Sequence, residues 1–342
     1  MNNDGQKIIE IGETEALRRA LSVFKSVETT IVGPGDDAAV ISVSDSRVVI
    51  TTDTMVQDHD FRLDWSSGFD IGYKAVTSNI ADLVAMGAHP RALTVALVVT
   101  KQTPQAWLED FANGLQSACD RHAPECQIVG GDLASGEQIV IAIAAHGDLQ
   151  SREPILRSTA QVGDRIVIAG TLGKAACGLA LLSSKDQSLS ASYPDIVSIQ
   201  LRPVPDFALG LELAAVATAM LDVSDGLSLD AGRLATSSNV SMNIKKELLE
   251  GYAAILEQAA QSINSRESDE EQVSEWDWIL HGGEDHSFLA TVPPKAILPR
   301  GTKVIGEVIA RGDSDVYLSG EPLTAKGWDS VTGQVLGVQL GV

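Results

Sequence analysis

A mixed α/β (α+β) fold in two domains is predicted by three features of the sequence. Strand-like and helix-like segments alternate through the first half. The polar stretch 149–163, which carries Pro154, interrupts them. Beyond it the alternation restarts with DRIVIAGTLGKAACGLALL, a strand, a glycine turn and a helix. The expected domains are therefore residues 1–150 and 151–342.

The elements follow in order. Arg47–Asp53 (RVVITTD) is apolar and β-branched, as a buried strand requires. Residues 70–87 read as a helix whose core face is Val76, Ile80, Leu83 and Val84. Lys74, Ser78 and Asp82 form a polar stripe on its other side, readable as a solvated face. A strand (92–100), a helix from Pro104 to about His122 with Trp107, Phe111 and Leu115 as core, and the stretches QIVGGD and EQIVIAIAAHGD complete the half. In the second half a helix is expected around 206–219, a short strand into Asp222, a helix from Gly226 to about Ser237, and strands at DHSFLATV and TKVIGEVI. QSINSRESDEEQVSE (261–275) reads as a charged loop.

Composition narrows the function. The formal charge of −21 disfavours nucleic acid and anionic membranes, which need basic patches, so an anionic substrate needs cations or helix N-termini. Cys119, Cys126 and Cys177 form no C-x-x-C pair and predict free thiols in a reducing compartment. The N-terminal MNNDGQKIIEIGETEAL does not have the pattern of a signal peptide, and no apolar run approaches a membrane span. The expected location is cytoplasmic. His89, His122, His146 and His281 show no ligand spacing.

Acidic residues recur just after apolar strands, beside glycine or a hydroxyl: GPGDDAAV (33–40), TTDT (51–54), VGGDLASG (129–136), LDVSDGL (221–227) and HGGEDHSF (281–288), with Asp82 on its helix. One Gly-Asp is ordinarily a turn; five such sites point to a ligand. Carboxylates and hydroxyls without a cysteine cluster suit hard cations such as magnesium rather than zinc. Several magnesium ions among so many carboxylates imply a polyphosphate. The nearest P-loop candidate, AGTLGKAA (169–176), lacks the first glycine and has Ala175 in place of Ser/Thr. It reads as a strand–turn–helix connection that could lend its helix N-terminus to an anion.

GPGDDAAV, TTDTMV, KAVTSNIADLVAMGA, GGDLASG, LDVSDGL and GGED stand in the order found in the thiamine-monophosphate kinase family, which the chain resembles over roughly residues 30–330. That family shares a superfamily with aminoimidazole ribonucleotide synthetase and selenophosphate synthetase. The resemblance implies an N-terminal domain whose sheet forms a barrel with a second subunit, giving a homodimer, and a C-terminal α/β domain, with ATP and thiamine monophosphate meeting in the cleft between them. It implies magnesium ligands Asp37, Asp53, Asp82, Asp132, Asp222 and Asp225, with Thr51 and Thr52 adding oxygens, and Asp132 and Asp225 as catalytic residues. Gly131, Asp132, Ser224 and Arg157 match nucleotide contacts. Glu284, Trp328 and either His59 or Asp60 match substrate contacts.

The chain departs from the family where D-x-L-V-E-G-x-H-F becomes D-H-D-F, with Asp60 in the histidine's place and His59 one earlier; in a strand the two would face opposite ways. His286 and Ser287 follow GGED where Tyr-Glu is common, and Val331 stands where phenylalanine is frequent. A phosphate monoester acceptor is largely ionised near neutral pH, its second pKa being about 6, so direct in-line γ-phosphoryl transfer needs no general base. The alternatives are another ATP-using member of the superfamily, such as an aminoimidazole ribonucleotide synthetase-like enzyme, or a nucleotide-binding paralogue without turnover.

Overall fold

The computed structural model describes residues 7–11, 13–33, 39–266 and 272–328. The chain divides into two compact units: residues 1–84 with 88–153, and residues 85–87 with 154–342.

The first unit begins with α1 (Ile8–Ile11), α2 (Glu13–Leu21), and the short antiparallel pair β1 (Thr30–Val32) and β2 (Val40–Ile41). Then come β3 (Val49–Val56), α3 (Gly68–Ala85), β4 (His89–Val99), α4 (Gln105–His122), β5 (Gln127–Ser135) and β6 (Val140–Asp148). These give a four-stranded sheet in the order β3-β6-β4-β5, with β4 and β5 parallel and the other pairs antiparallel. Alternation along β3 exposes Ile50, Thr52 and Thr54, while Thr51, Asp53 and Met55 turn toward the less exposed side. The rows behind Thr52 and Thr54 continue through Ala144 and Thr94, and through Ala142 and Ala96. These two rows of small, partly exposed residues lie beside the exposed Ile50 on the same face.

Helix α3 buries the expected core positions Val76, Ile80, Leu83 and Val84. Its polar stripe is no solvated face: Lys74 is only 5% exposed. On the side of the helix opposite Lys74, α3 packs closely on α4, where a methyl group on Gly72 would lie 2.2 Å from the Phe111 carbonyl oxygen. Trp107 stacks on Phe111 with ring centroids 5.4 Å apart, and Phe111 and Leu115 are buried.

The second unit contains β7 (Arg165–Ala169), α5 (Lys174–Ser183), α6 (Ser188–Ser192), α7 (Pro194–Leu201), α8 (Phe207–Ala214), β8 (Ala219–Val223), α9 (Leu227–Ser238), β9 (Val240–Ile244), α10 (Glu250–Asn264), α11 (Glu275–His281), β10 (Ser287–Val292), β11 (Lys303–Ala310), β12 (Val316–Leu318) and β13 (Glu321–Pro322). Its seven strands run in the order β13-β12-β9-β11-β7-β10-β8, antiparallel except for the β12–β9 pair. Every residue of β8, β9 and β10 is buried, so both faces are covered. Helices α6, α7, α10 and α11 and strand β9 add to what periodicity predicted. The segment read as a charged loop from 261 is helical to Asn264, because Tyr252, Leu256, Ala260 and Ile263 keep α10 packed on the core. The cysteines are buried and unpaired, as expected.

Candidate active site

In the first unit, β3 and α3 assemble the clearest predicted group. The Thr51 hydroxyl donates to Asp82 Oδ2 at 2.7 Å, and the Asp53 amide donates to Asn79 Oδ1 at 3.2 Å. Asn79 is itself anchored one turn back, its side-chain amide donating to the Ala75 carbonyl at 2.9 Å. Thr52 lies on the opposite, exposed side of the strand.

Asp132 sits on the far edge of the same sheet. Asp53 is opposite Ile143, Ile143 opposite Val95, and Val95 opposite Gly131; Asp132 belongs to the next row, with Ala96, Ala142 and Thr54. Three inter-strand spacings separate β3 from β5 by about 14 Å. One ion cannot bridge Asp53 and Asp132 through this sheet. Asp37, with Asp36, falls outside the described residues, as does Val331.

The His59–Asp60 pair occupies a turn rather than a strand, which corrects the expectation that the two face apart. Asp58 adopts a positive φ of 65° and reverses the chain. Asp60 Oδ2 accepts from the Val56 amide at 2.7 Å, and its Oδ1 lies 3.3 Å from His59 Nδ1. Asp60 therefore braces its own turn and holds the imidazole.

In the second unit, three distant segments close around Asp225. The Glu284 amide donates to the Ser224 carbonyl at 2.9 Å, and the Trp328 amide to the Asp225 carbonyl at 3.0 Å. Gly226, at φ 118°, lets the loop turn into α9 with no room for a side chain, since a methyl group there would meet the His281 carbonyl at 2.5 Å. Gly283 similarly lies against the Ser224 carbonyl, 2.1 Å from where its Cβ would be.

The carboxylates here are crowded. Arg233 Nη1 donates to Asp225 at 2.6 Å and to Asp230 at 2.8 Å, while Asp230 also accepts from the Asp225 amide at 3.0 Å. Burial, reinforced by the charges of Asp222 and Asp225, pushes the Asp230 carboxyl up to about 7. Asp230 was not singled out from the sequence; its place one turn into α9 after LDVSDGL was the available signal. His286, one of the residues that depart from the family pattern, lies buried with its Nδ1 3.1 Å from Asp222 Oδ2.

Asp285 points inward. The Thr171 hydroxyl donates to it at 2.6 Å and the Ala175 amide at 3.4 Å. The anion at the start of α5 is thus the chain's own carboxylate. Burial raises its pKa, opposed by these hydrogen bonds. Arg157 is exposed, and its carbonyl accepts from Ser238 at the end of α9. A 12-residue helix places that end about 17 Å from the Ser224 loop. A cavity of about 560 Å³ is lined by Lys174, the lysine of AGTLGKAA, with Tyr193, Asp195, Ile196, Ile199 and Ile255, and includes none of the residues expected to bind magnesium, nucleotide or thiamine.

The donors on both units are carboxylate and hydroxyl oxygens, the chemistry a magnesium ion accepts. Among the described residues, no three His, Cys, Asp or Glu side chains gather tightly enough to hold one ion.

Comparison with known proteins places these features in a family context. The family described as AIR synthase related protein, N-terminal domain, matches residues 35–149. The thiamine-monophosphate kinase of Mycobacterium tuberculosis is 37% identical over 324 residues, covering 94% of this chain and 92% of that protein. The crystal structure of thiamine-monophosphate kinase from Stenotrophomonas maltophilia K279a superposes with a TM-score of 0.72 at 29% identity, covering 91% of this chain and 96% of that one. AaThiL complexed with AMPPCP and TMP shares the fold, with a TM-score of 0.69 at 24% identity over 94% of this chain and 98% of its own. No helix among the described residues is long and apolar enough to cross a membrane.

Proposed function

Because the chain belongs to the thiamine-monophosphate kinase family, we propose that it phosphorylates thiamine monophosphate to thiamine diphosphate by direct in-line transfer of the ATP γ-phosphoryl group. The observation that carries this reading is the joining of LDVSDGL, GGED and KGW around Asp225 by main-chain bonds, in a chain 37% identical to a relative of that name. A phosphate oxygen of thiamine monophosphate forms the new P–O bond, the bond from the γ-phosphorus to the β,γ-bridging oxygen breaks, and ADP leaves with the electron pair. The attacking oxygen is already ionised, so the chain's work is alignment and charge compensation.

Bound magnesium would neutralise the phosphate oxygens. Several ions are required: Asp53, Asp82 and Asp132, with Asp37, Thr51 and Thr52, are the residues of the first unit assigned to magnesium, and Asp222 and Asp225 are those of the second. The Thr51 hydroxyl orients the Asp82 carboxylate, and His286 does the same for Asp222. Asp132 and Asp225 are the assigned catalytic carboxylates. Gly131, Ser224 and Arg157 are assigned to the nucleotide. Glu284, Trp328 and His59 are assigned to the thiamine moiety, with Asp60 acting through His59.

The exposed face of the first unit's sheet, where Ile50 stands beside the small Thr52, Thr54, Thr94, Ala96, Ala142 and Ala144, supports a homodimer: an exposed apolar side chain among small ones suits close approach of a second sheet. Three buried thiols support a reducing, cytoplasmic setting.

Incubation with ATP, magnesium and thiamine monophosphate, followed by mass spectrometry, is expected to show thiamine diphosphate and ADP in equal amounts. ADP without thiamine diphosphate overturns the reading.

A further inference from the structure

We infer that Gln200 is a positioning residue that holds the carboxylate of Glu284 in place for the thiamine moiety. The inference rests on the reading above, in which Glu284 contacts the substrate.

The backbone of Glu284 is fixed before its side chain is considered. Its φ is 66°, and its amide is bonded to the Ser224 carbonyl at 2.9 Å. The side chain has three rotatable bonds, a freedom that each hydrogen bond restricts. Gln200 limits it: Nε2 donates to Glu284 Oε2 at 2.7 Å across 84 residues of sequence. Gln200 is itself 8% exposed, near the end of α7, where that helix presses on α5; a methyl group on Gly178 would meet the Gln200 Cβ at 2.9 Å. The donor therefore comes from a packed helix rather than from a loose surface residue.

The chemistry of the donor matters as much as its position. An arginine or lysine here would neutralise the carboxylate. An amide fixes one oxygen and itself adds no charge to the contact, which suits a carboxylate that meets a cationic, amine-bearing ligand. Thiamine, with its thiazolium cation and aminopyrimidine, is a ligand of that class. Recognition then depends on a neutral hydrogen-bond donor supplied from a helix that carries none of the family's acidic motifs.

The test is a kinetic double-mutant cycle on the full chain. Gln200→Met keeps the volume and removes the donor; Gln200→Asn keeps the amide but shortens its reach, and serves if the first variant unfolds. Either is expected to raise KM for thiamine monophosphate roughly tenfold, the loss of one hydrogen bond to a charged group. KM for ATP and kcat are expected to stay within about twofold. Glu284→Ala is expected to raise the same KM, and Gln200→Met to add little in that background. If Glu284→Ala leaves this KM unchanged, the assignment of Glu284 to the substrate fails. If Glu284→Ala raises it while the Gln200 variants do not, or if their effect persists in the Glu284→Ala background, the role of Gln200 is overturned.

Discussion

Thr51 on β3 and Asp82 on α3 are joined by a hydroxyl–carboxylate hydrogen bond of 2.7 Å, which fixes one carboxylate oxygen and leaves the group's negative charge intact. Replacing Thr51 with Val keeps the shape and removes the donor. The expected result is a loss of about 1 kcal/mol in stability and a severalfold higher magnesium concentration for half-maximal activity. Thr51→Ser is expected to restore the wild-type magnesium titration.

Asp225 makes bonds through both its backbone and its carboxylate, so its conservative variant tests charge rather than fold. Asp225→Asn is expected to lower kcat by roughly a hundredfold or more, the usual cost of removing one preorganised electrostatic contact, with ATP binding by calorimetry retained. Loss of ATP binding would instead assign Asp225 to the ground-state complex.

A close helix contact in the first unit allows no side chain. Gly72→Ala would place a methyl group 2.2 Å from the Phe111 carbonyl oxygen, backbone against backbone. The two helices must separate, at an expected cost of about 3 kcal/mol. Thermal unfolding should show the drop, and a Tm within a degree of wild type would refute it.

The dimer assignment predicts that an arginine on the open sheet face dissociates the protein without unfolding it. Ala142 lies in the exposed row between Thr54 and Ala96. Light scattering of Ala142→Arg should give the monomer mass with an unchanged far-ultraviolet circular dichroism spectrum. A wild-type protein that already runs as a monomer excludes the dimer.

His89 supplies a pH dependence. Burial, then the charges of Arg152 and Arg91, lower its pKa below the usual 6.5, against the opposing Glu125 and Asp148. The folded chain thus takes up a proton less readily than the unfolded chain. The stability is whole above pH 6.5 and is lost as pH falls from there through the folded-state value. Urea unfolding of His89→Gln should lose less stability than wild type between about pH 7 and pH 5.

Local pattern determined much of this protein. Alternation and helical spacing located β3, α3, α4 and the strand–turn–helix after 164, because they depend on neighbours two to four residues apart. The acidic motifs marked the ends of strands for the same reason, and their order identified the family. Only the tertiary structure decided what those residues touch. It buried Lys74, which spacing alone left readable as a solvated face, because what covers a helix face is set by distant segments. It placed Asp60 within its own turn, Asp285 at the start of α5, and Gln200 against Glu284. Partners 84 or 114 residues apart leave no periodic trace in the sequence; they are selected when the core packs and each buried polar group must find a hydrogen bond.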